Sequence, residues 1–94
     1  MRGEYMITNI YYVCRFDSVS FGYESFIVAA NSINEAINTF PNGDDHDWDE
    51  NSNYHQYWVD KCDTDKLLIE CIGTYKNYID HPIILMCKLA GSII

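Results

Sequence analysis

The densest concentration of chemically active side chains in this sequence is a run of carboxylates near its middle. Residues 44–65 contain eight acids and a single lysine, so this stretch carries a net charge of −7, while the whole chain carries −8. We call residues 44–65 the acidic segment. Its acids are Asp44, Asp45, Asp47, Asp49, Glu50, Asp60, Asp63 and Asp65. Carboxylates at this density suit three roles, which are a solvated loop, a contact with a basic partner and a metal site.

Electrostatic repulsion limits where the acidic segment can lie. Same-side carboxylates on an extended chain are about 6.6 Å apart, and in water each pair repels by only about 0.6 kcal/mol. At the effective dielectric near a protein surface, the same pair repels by about 2.5 kcal/mol. The segment is therefore expected to face water, a metal ion or a basic surface, and a solvated loop is the simplest of these interpretations.

A basic partner is the second interpretation of the acidic segment. A string of carboxylates spaced on the scale of backbone phosphates can occupy a groove lined by arginine and lysine, in place of nucleic acid. Trp48 would then be an anchor, because tryptophan is enriched at interface hot spots. The predicted partner-binding residues are thus Trp48 and the eight acids of the segment. The basic residues of the chain are scattered, so direct binding of nucleic acid is not expected.

A calcium site is the third interpretation, and the sequence argues against it. Asp45, Asp47 and Asp49 match the first three ligand positions of an EF-hand loop. However, Glu50 stands where that loop requires glycine, and Gln56 stands where it requires a bidentate glutamate. No metal or other cofactor is predicted.

The sequence offers little evidence for a catalytic site. His55, Asp60 and Cys62 would supply a base, an orienting carboxylate and a nucleophile, but no sequence signature of such an enzyme surrounds them. The glycines are isolated from one another, so there is no phosphate-binding loop. We therefore expect a non-enzymatic protein without catalytic residues.

The elements that must position the acidic segment begin with a predicted β-hairpin. Apolar residues fall on alternate positions between residues 6 and 16, which is the period of a half-buried strand. They are Met6, Ile10, Tyr12, Cys14 and Phe16. Residues 23–30 resume an extended pattern after a stretch rich in turn formers, so the two strands are expected to pair.

A short helix is predicted after this hairpin. Ser32 and Glu35 fit a capping box, in which each side chain satisfies a free backbone amide at the start of a helix. An apolar stripe with helical spacing follows, and Pro41 prevents the helix from continuing after about two turns. The stripe consists of Ile33, Ala36, Ile37 and Phe40.

Three further strands are predicted in the second half of the chain. Residues 54–59 suggest a short strand, and residues 66–75 a stronger one in which Leu68 and Ile72 imply partial cover of its second face. Residues 82–90 suit either a helix capped by Asp80 or a buried strand, and we favour the strand, paired as a hairpin with 66–75 across residues 76–81.

These elements together predict one α+β domain spanning residues 1–94. Its mainly antiparallel sheet has about five strands and carries one short helix on one face, in the order β-β-α-β-β-β. A two-turn helix covers little of such a sheet, so apolar surface remains for a partner or for self-association into a homo-oligomer.

The cysteines and the termini predict the cellular compartment. Cys14, Cys62, Cys71 and Cys87 form no Cys-x-x-Cys pair, which favours free buried thiols in a reducing compartment over a disulfide framework. No secretion signal is recognisable, and no apolar run reaches the ~20 residues of a membrane span. A soluble cytoplasmic protein is expected.

The order of a hairpin, a short helix within residues 26–40 and then more strands resembles many small phage-encoded accessory proteins, including some anti-CRISPR inhibitors. The resemblance lies in this organisation over residues 6–75 and includes no diagnostic motif, so no functional residue is transferred. It implies a compact, cofactor-free protein that acts by occupying a host surface. The functional hypothesis is an inhibitor whose acidic segment docks on a basic, nucleic-acid-handling host complex in the host cytoplasm. The alternative is a structural or assembly subunit of a phage or mobile element whose acidic loop is merely solubilising.

Overall fold

A computed structural model describes residues 8–17 and 21–90. Its four strands are β1 (Asn9–Arg15), β2 (Tyr23–Ala30), β3 (Leu67–Thr74) and β4 (Ile83–Leu89). One α-helix, α1 (Ile33–Ile37), follows β2. Three 3-10 helices lie between α1 and β3, at Asp45–Trp48, His55–Tyr57 and Lys61–Lys66. The strands form one antiparallel sheet in the order β3-β1-β2-β4, which confirms the α+β class.

The predicted hairpin of β1 and β2 is confirmed. The two strands pair antiparallel, with Val13 opposite Phe26 and Tyr12 opposite Ile27. Because directly opposed residues share a face of the sheet, these pairs define its two sides. We call the side of Val13 and Phe26 the covered face and the side of Tyr12 and Ile27 the open face. Residues 6 and 7 of the predicted strand, and residues 18–20 of the predicted turn, lie outside the described residues.

The predicted capping box of α1 is confirmed, with one difference in detail. The Glu35 amide donates to Ser32 Oγ at 3.0 Å, as expected. The Glu35 carboxylate reaches one residue further back than in the usual motif and accepts from the Asn31 amide at 2.8 Å. Ala36 and Phe40 of the predicted stripe are fully buried on the covered face, whereas Ile33 is exposed. The helix is shorter than the predicted two turns, because it ends at Ile37 after five residues.

The alternating apolar residues of β1 lie on the open face, and the core is built from the residues between them. Tyr11 and Val13 are buried in the core cluster, whereas Tyr12 and Phe16 are exposed. The period of two was correct, but it did not identify the buried side. Both sets contain large apolar residues, so the choice between them depends on which set α1 and the acidic segment cover.

The last strand forms as predicted, but its predicted hairpin with β3 is wrong. β4 pairs antiparallel with β2 and forms the edge of the sheet opposite to the edge formed by β3. The connecting residues 75–82 therefore pass the ends of β1 and β2, a span of three strand spacings or about 14 Å, which eight residues easily cover. Asn31 holds this connection, since its Nδ2 donates to the Ile79 carbonyl at 3.0 Å and its Oδ1 accepts from Thr8 Oγ1 at 2.7 Å.

The predicted fifth strand at residues 54–59 does not form. The chain makes a 3-10 turn at His55–Tyr57 and then buries two consecutive residues, Trp58 and Val59, on the covered face. Residues 54–59 pair with no strand of the described sheet. The segment crosses the sheet closely, because a Cβ on Gly22 would lie only 2.7 Å from the Tyr57 carbonyl oxygen.

The expected cover over the second side of β3 is also absent among the described residues. Leu68 and Ile72 remain 56% and 50% exposed. Both edge strands contain a bulge, because the register with the neighbouring strand skips Ile72 in β3 and Leu85 in β4.

The cysteines are free, as predicted, but three of the four are exposed, so the expectation of buried thiols is wrong. Two of these three lie on the uncovered edge strands β3 and β4.

Candidate protein-binding surface

The acidic segment begins after a short connection, residues 38–43, that follows α1, and its first carboxylates fold the backbone. Gly43 turns the chain with a positive φ of 87°. The His46 amide then donates to Asp44 Oδ1 at 3.0 Å, which caps the 3-10 helix Asp45–Trp48. The Phe40 amide donates to Asp45 Oδ1, also at 3.0 Å. These two carboxylates therefore shape the loop in addition to adding charge.

Asp47 joins the beginning of the acidic segment to its middle. One carboxylate oxygen accepts from Ser52 Oγ at 3.0 Å, and the other accepts from Asn42 Nδ2. The side chain is half-buried. Charge-assisted hydrogen bonds of this kind are stronger than neutral ones, so Asp47 holds the residues around Trp48 in one conformation.

Trp48 faces the core with one side of its ring. It packs edge-on against Phe40 with the ring centroids 5.5 Å apart, and its Nε1 donates to the Val59 carbonyl at 2.8 Å. Lys61 Nζ lies 5.3 Å from the ring centroid, at cation–π distance. Trp48 thereby ties the two halves of the acidic segment together. Its predicted role as an interface anchor stays a prediction beside this structural one.

The other acids of the segment lie on its outer surface. Asp49, Glu50, Asp60 and Asp65 are exposed, and Asp63 is half-buried. The ion pairs that these acids make with described residues are long and exposed: Asp63 lies 3.8 Å from Lys66, and Asp49 lies 3.8 Å from His46. Such pairs contribute only about 0–1 kcal/mol each. The field of the segment is therefore neutralised little by its described surroundings.

A small polar groove next to the acidic segment was missed at the sequence level. It has a volume of about 150 Å³, and its polar lining includes Asp60, Asp63 and Lys66. Arg15 closes one side, with its guanidinium carbon 5.8 Å from the centre of the Trp58 ring. The Arg15 guanidinium also holds the pKa of Asp17 below its ordinary value through a hydrogen bond of 2.8 Å. Arg15 and Asp17 are two positions apart at the end of β1, so their side chains lie on the same side of the chain. This spacing was the sequence signal that could have predicted their contact.

The remaining chemical candidates do not converge on a reaction centre in the part of the chain that is described. There, no cluster of three or more His, Cys, Asp or Glu side chains is arranged to hold a metal ion. His55 Nδ1 lies 2.8 Å from the Ser52 carbonyl, so that ring nitrogen is engaged with the backbone of its own segment. Cys62 is exposed and free.

Comparison of this chain with models of known protein families, with characterised proteins and with solved structures gave no match. Among residues 8–17 and 21–90, no helix has the length and apolar character needed to cross a bilayer.

Proposed function

We propose that this chain is a non-enzymatic binding protein that docks its acidic segment on a basic protein surface. The observation that carries the proposal is the ordered display of the acids. Six of the eight carboxylates are exposed and two are half-buried, on a backbone held by side-chain hydrogen bonds and by the packing of Trp48. A solvated loop with no binding role needs no such order, whereas an ordered array of charges lowers the entropic cost of binding.

The partner that fits this array is a surface built to hold phosphates. Arginine and lysine side chains in a nucleic-acid groove release counterions when carboxylates replace the phosphates, so binding should weaken steeply as salt rises. The proposed partner class is a nucleic-acid-handling host complex, and the proposed role is that of a phage-type inhibitor acting in the host cytoplasm. Under the alternative role, as an assembly subunit, the acidic segment makes no contact of this kind.

The test compares two charge-matched variants for binding to proteins of a bacterial lysate. The first carries Asp49→Asn, Glu50→Gln and Asp65→Asn, which change exposed acids and leave Asp44, Asp45 and Asp47 to fold the segment. The control carries Glu4→Gln, Glu24→Gln and Asp80→Asn, which remove the same charge outside the segment. Each variant has a net charge of −5 in place of −8.

We expect the wild type and the control to retain nucleic-acid-binding proteins at about 50 mM salt and to release them at about 200 mM salt or on addition of duplex DNA. The segment variant should bind about ten- to a hundredfold more weakly, since each lost charge contact is worth about 0.5–1 kcal/mol. Equal binding by the two variants would overturn the proposal. Retention that does not change with salt or DNA would also overturn it.

A further inference from the structure

The open face of the sheet is an apolar surface assembled from four strands. Its central row runs across the sheet from Glu70 through Tyr12 and Ile27 to Met86. Met86 and Tyr12 are 59% and 37% exposed, and Leu68 in the next row is similarly uncovered. The largest contiguous apolar patch on a protein surface is often functional, and an interface with another molecule is one of its uses.

The shape of the open face is complementary to the same face of a second copy. Tyr12 stands as a ridge between two grooves and contributes to the wall of both. One groove, of about 220 Å³, lies towards Ile27 and Met86. The other, of about 350 Å³, lies towards Cys14 and Leu68. A ridge flanked by grooves fits a second copy related by a twofold axis, because the ridge of each copy enters a groove of the other.

The size of the open face suits a dimer of modest affinity. Seven residues per strand at about 3.3 Å and four strands at about 4.8 Å give a plan area of about 440 Å². Two such faces bury about 900 Å² or more, since side chains project from the plane, and a biological interface needs roughly 1,000 Å². The area therefore predicts a dimer that dissociates on dilution.

The charges of the chain favour a second copy on this face. The acidic segment lies behind the covered face, so two copies joined through their open faces hold their acidic segments about 30 Å apart, far beyond the ~8 Å screening length. Glu70 and Lys88 are the charged residues in the rows described, and they lie on the opposite edge strands β3 and β4. Lys88 is also 3.6 Å from Glu24, within its own chain.

These two charges also select the orientation of the second copy. A twofold axis parallel to the strands lays β3 of each copy over β4 of the other. Glu70 then faces the partner copy's β4 one row, or about 6.6 Å, from Lys88, which is within reach of a lysine side chain. An axis perpendicular to the strands lays each edge strand over its own counterpart and brings like charges together.

We propose that the chain forms a twofold homodimer through its open faces, with β3 of each copy over β4 of the other. This inference is independent of the proposed function, because it concerns the face opposite the acidic segment. Its readout is the oligomeric state, whereas the proposed function is read from salt-dependent binding, so either can fail alone.

The first experiment measures mass against concentration by sedimentation equilibrium. The wild type should approach twice its chain mass of 10.9 kDa at high micromolar concentration. Met86→Glu places a carboxylate opposite Glu70 of the second copy and should shift dissociation at least tenfold towards higher concentration. The control, Ile33→Glu, changes a similarly exposed apolar residue on α1 and should leave the dimer intact. A monomeric wild type, or a Met86→Glu dimer as tight as wild type, would overturn the proposal.

The second experiment tests the orientation with two charge reversals, Glu70→Lys and Lys88→Glu. Each variant alone places like charges at both contacts and should be mainly monomeric. An equimolar mixture restores a Glu–Lys contact at both positions and should form a dimer containing one chain of each. If neither reversal weakens the dimer, or if the mixture stays monomeric, the arrangement of β3 over β4 is wrong.

Discussion

The two faces of the sheet are made by alternate residues of the same four strands, yet one face is buried and the other is exposed. On the covered face, Val13, Phe26 and Val28 are almost completely buried beneath α1 and the acidic segment. On the open face, Tyr12 and Met86 remain exposed although they are also apolar. Apolar character alone therefore does not define the core of this chain. The core forms where α1 and the acidic segment cover the sheet, and the acidic segment is the most acidic part of the sequence.

Removing one phenylalanine from each side should have very unequal effects on stability. Phe40 is fully buried between Tyr23 and Trp48, so Phe40→Ala should lower the free energy of unfolding by about 3–5 kcal/mol. Phe16 directly follows β1 and is 59% exposed, so Phe16→Ala should change the free energy of unfolding by less than about 1 kcal/mol. Urea denaturation of dilute protein measures both values.

Similar losses in these two variants would mean that the open face is as well packed as the covered face, which would contradict the division between them. The slope of each transition must also be compared, because a change in slope would indicate an altered denatured state in place of altered packing.

Alanine substitutions at Gly22 and Gly43 test how closely the acidic segment lies on the sheet. Gly22 and Gly43 both have positive φ, of 89° and 87°, so alanine is strained at either. At Gly43 a Cβ would meet only Ile84 Cγ1 at 3.5 Å, and we expect a loss of about 1 kcal/mol. At Gly22 it would also collide with the Tyr57 backbone, so the loss should be at least about 2 kcal/mol.

Thermal unfolding of the two glycine variants gives this difference directly. Equal melting temperatures would indicate that the segment around Tyr57 can move away from β2 without loss, and that its packing on the covered face is loose.

The smallest effect is expected in the pH dependence of stability. Burial raises the pKa of Tyr23, which packs edge-on against Phe40, above its ordinary value of 10.0. A raised pKa in the folded state means that the stabilisation is complete below pH 10 and is lost as pH rises through the folded value. The melting temperature of the wild type should therefore fall more steeply above pH 10 than that of Tyr23→Phe. Parallel curves would show that Tyr23 is no more desolvated when folded than when unfolded.

Local features of the fold were predictable because short-range physics decides them. The Ser32–Glu35 capping box starts α1, and the extended pattern of residues 23–30 coincides with β2 (Tyr23–Ala30). The strand at residues 82–90 was favoured over a helix, and β4 (Ile83–Leu89) confirms it. Each of these choices depends on neighbouring residues alone, so the sequence pattern contains enough information.

Features that depend on distant contacts were not predictable in the same way. Two adjacent strands in sequence usually pair, but β4 passes β3 and joins β2, where Asn31 fixes the connection through Ile79. The aromatic residues at 54–59 resembled a strand, although Trp58 and Val59 bury against the sheet in succession. The concentration of acids was visible in the sequence. The use of Asp44, Asp45 and Asp47 as hydrogen-bond acceptors that shape the loop was not, because it depends on the backbone conformation after Gly43.

The bulges at Ile72 and Leu85 have a consequence for how the chain behaves at high concentration. Both interrupt long, largely apolar strands at the two free margins of the sheet, where unpaired amides and carbonyls would otherwise recruit further chains one after another. A kinked margin cannot continue a regular ladder, so growth into fibrils is discouraged on both sides. The dimer proposed above joins the open faces and does not use these margins, and a twofold pair closes at two copies.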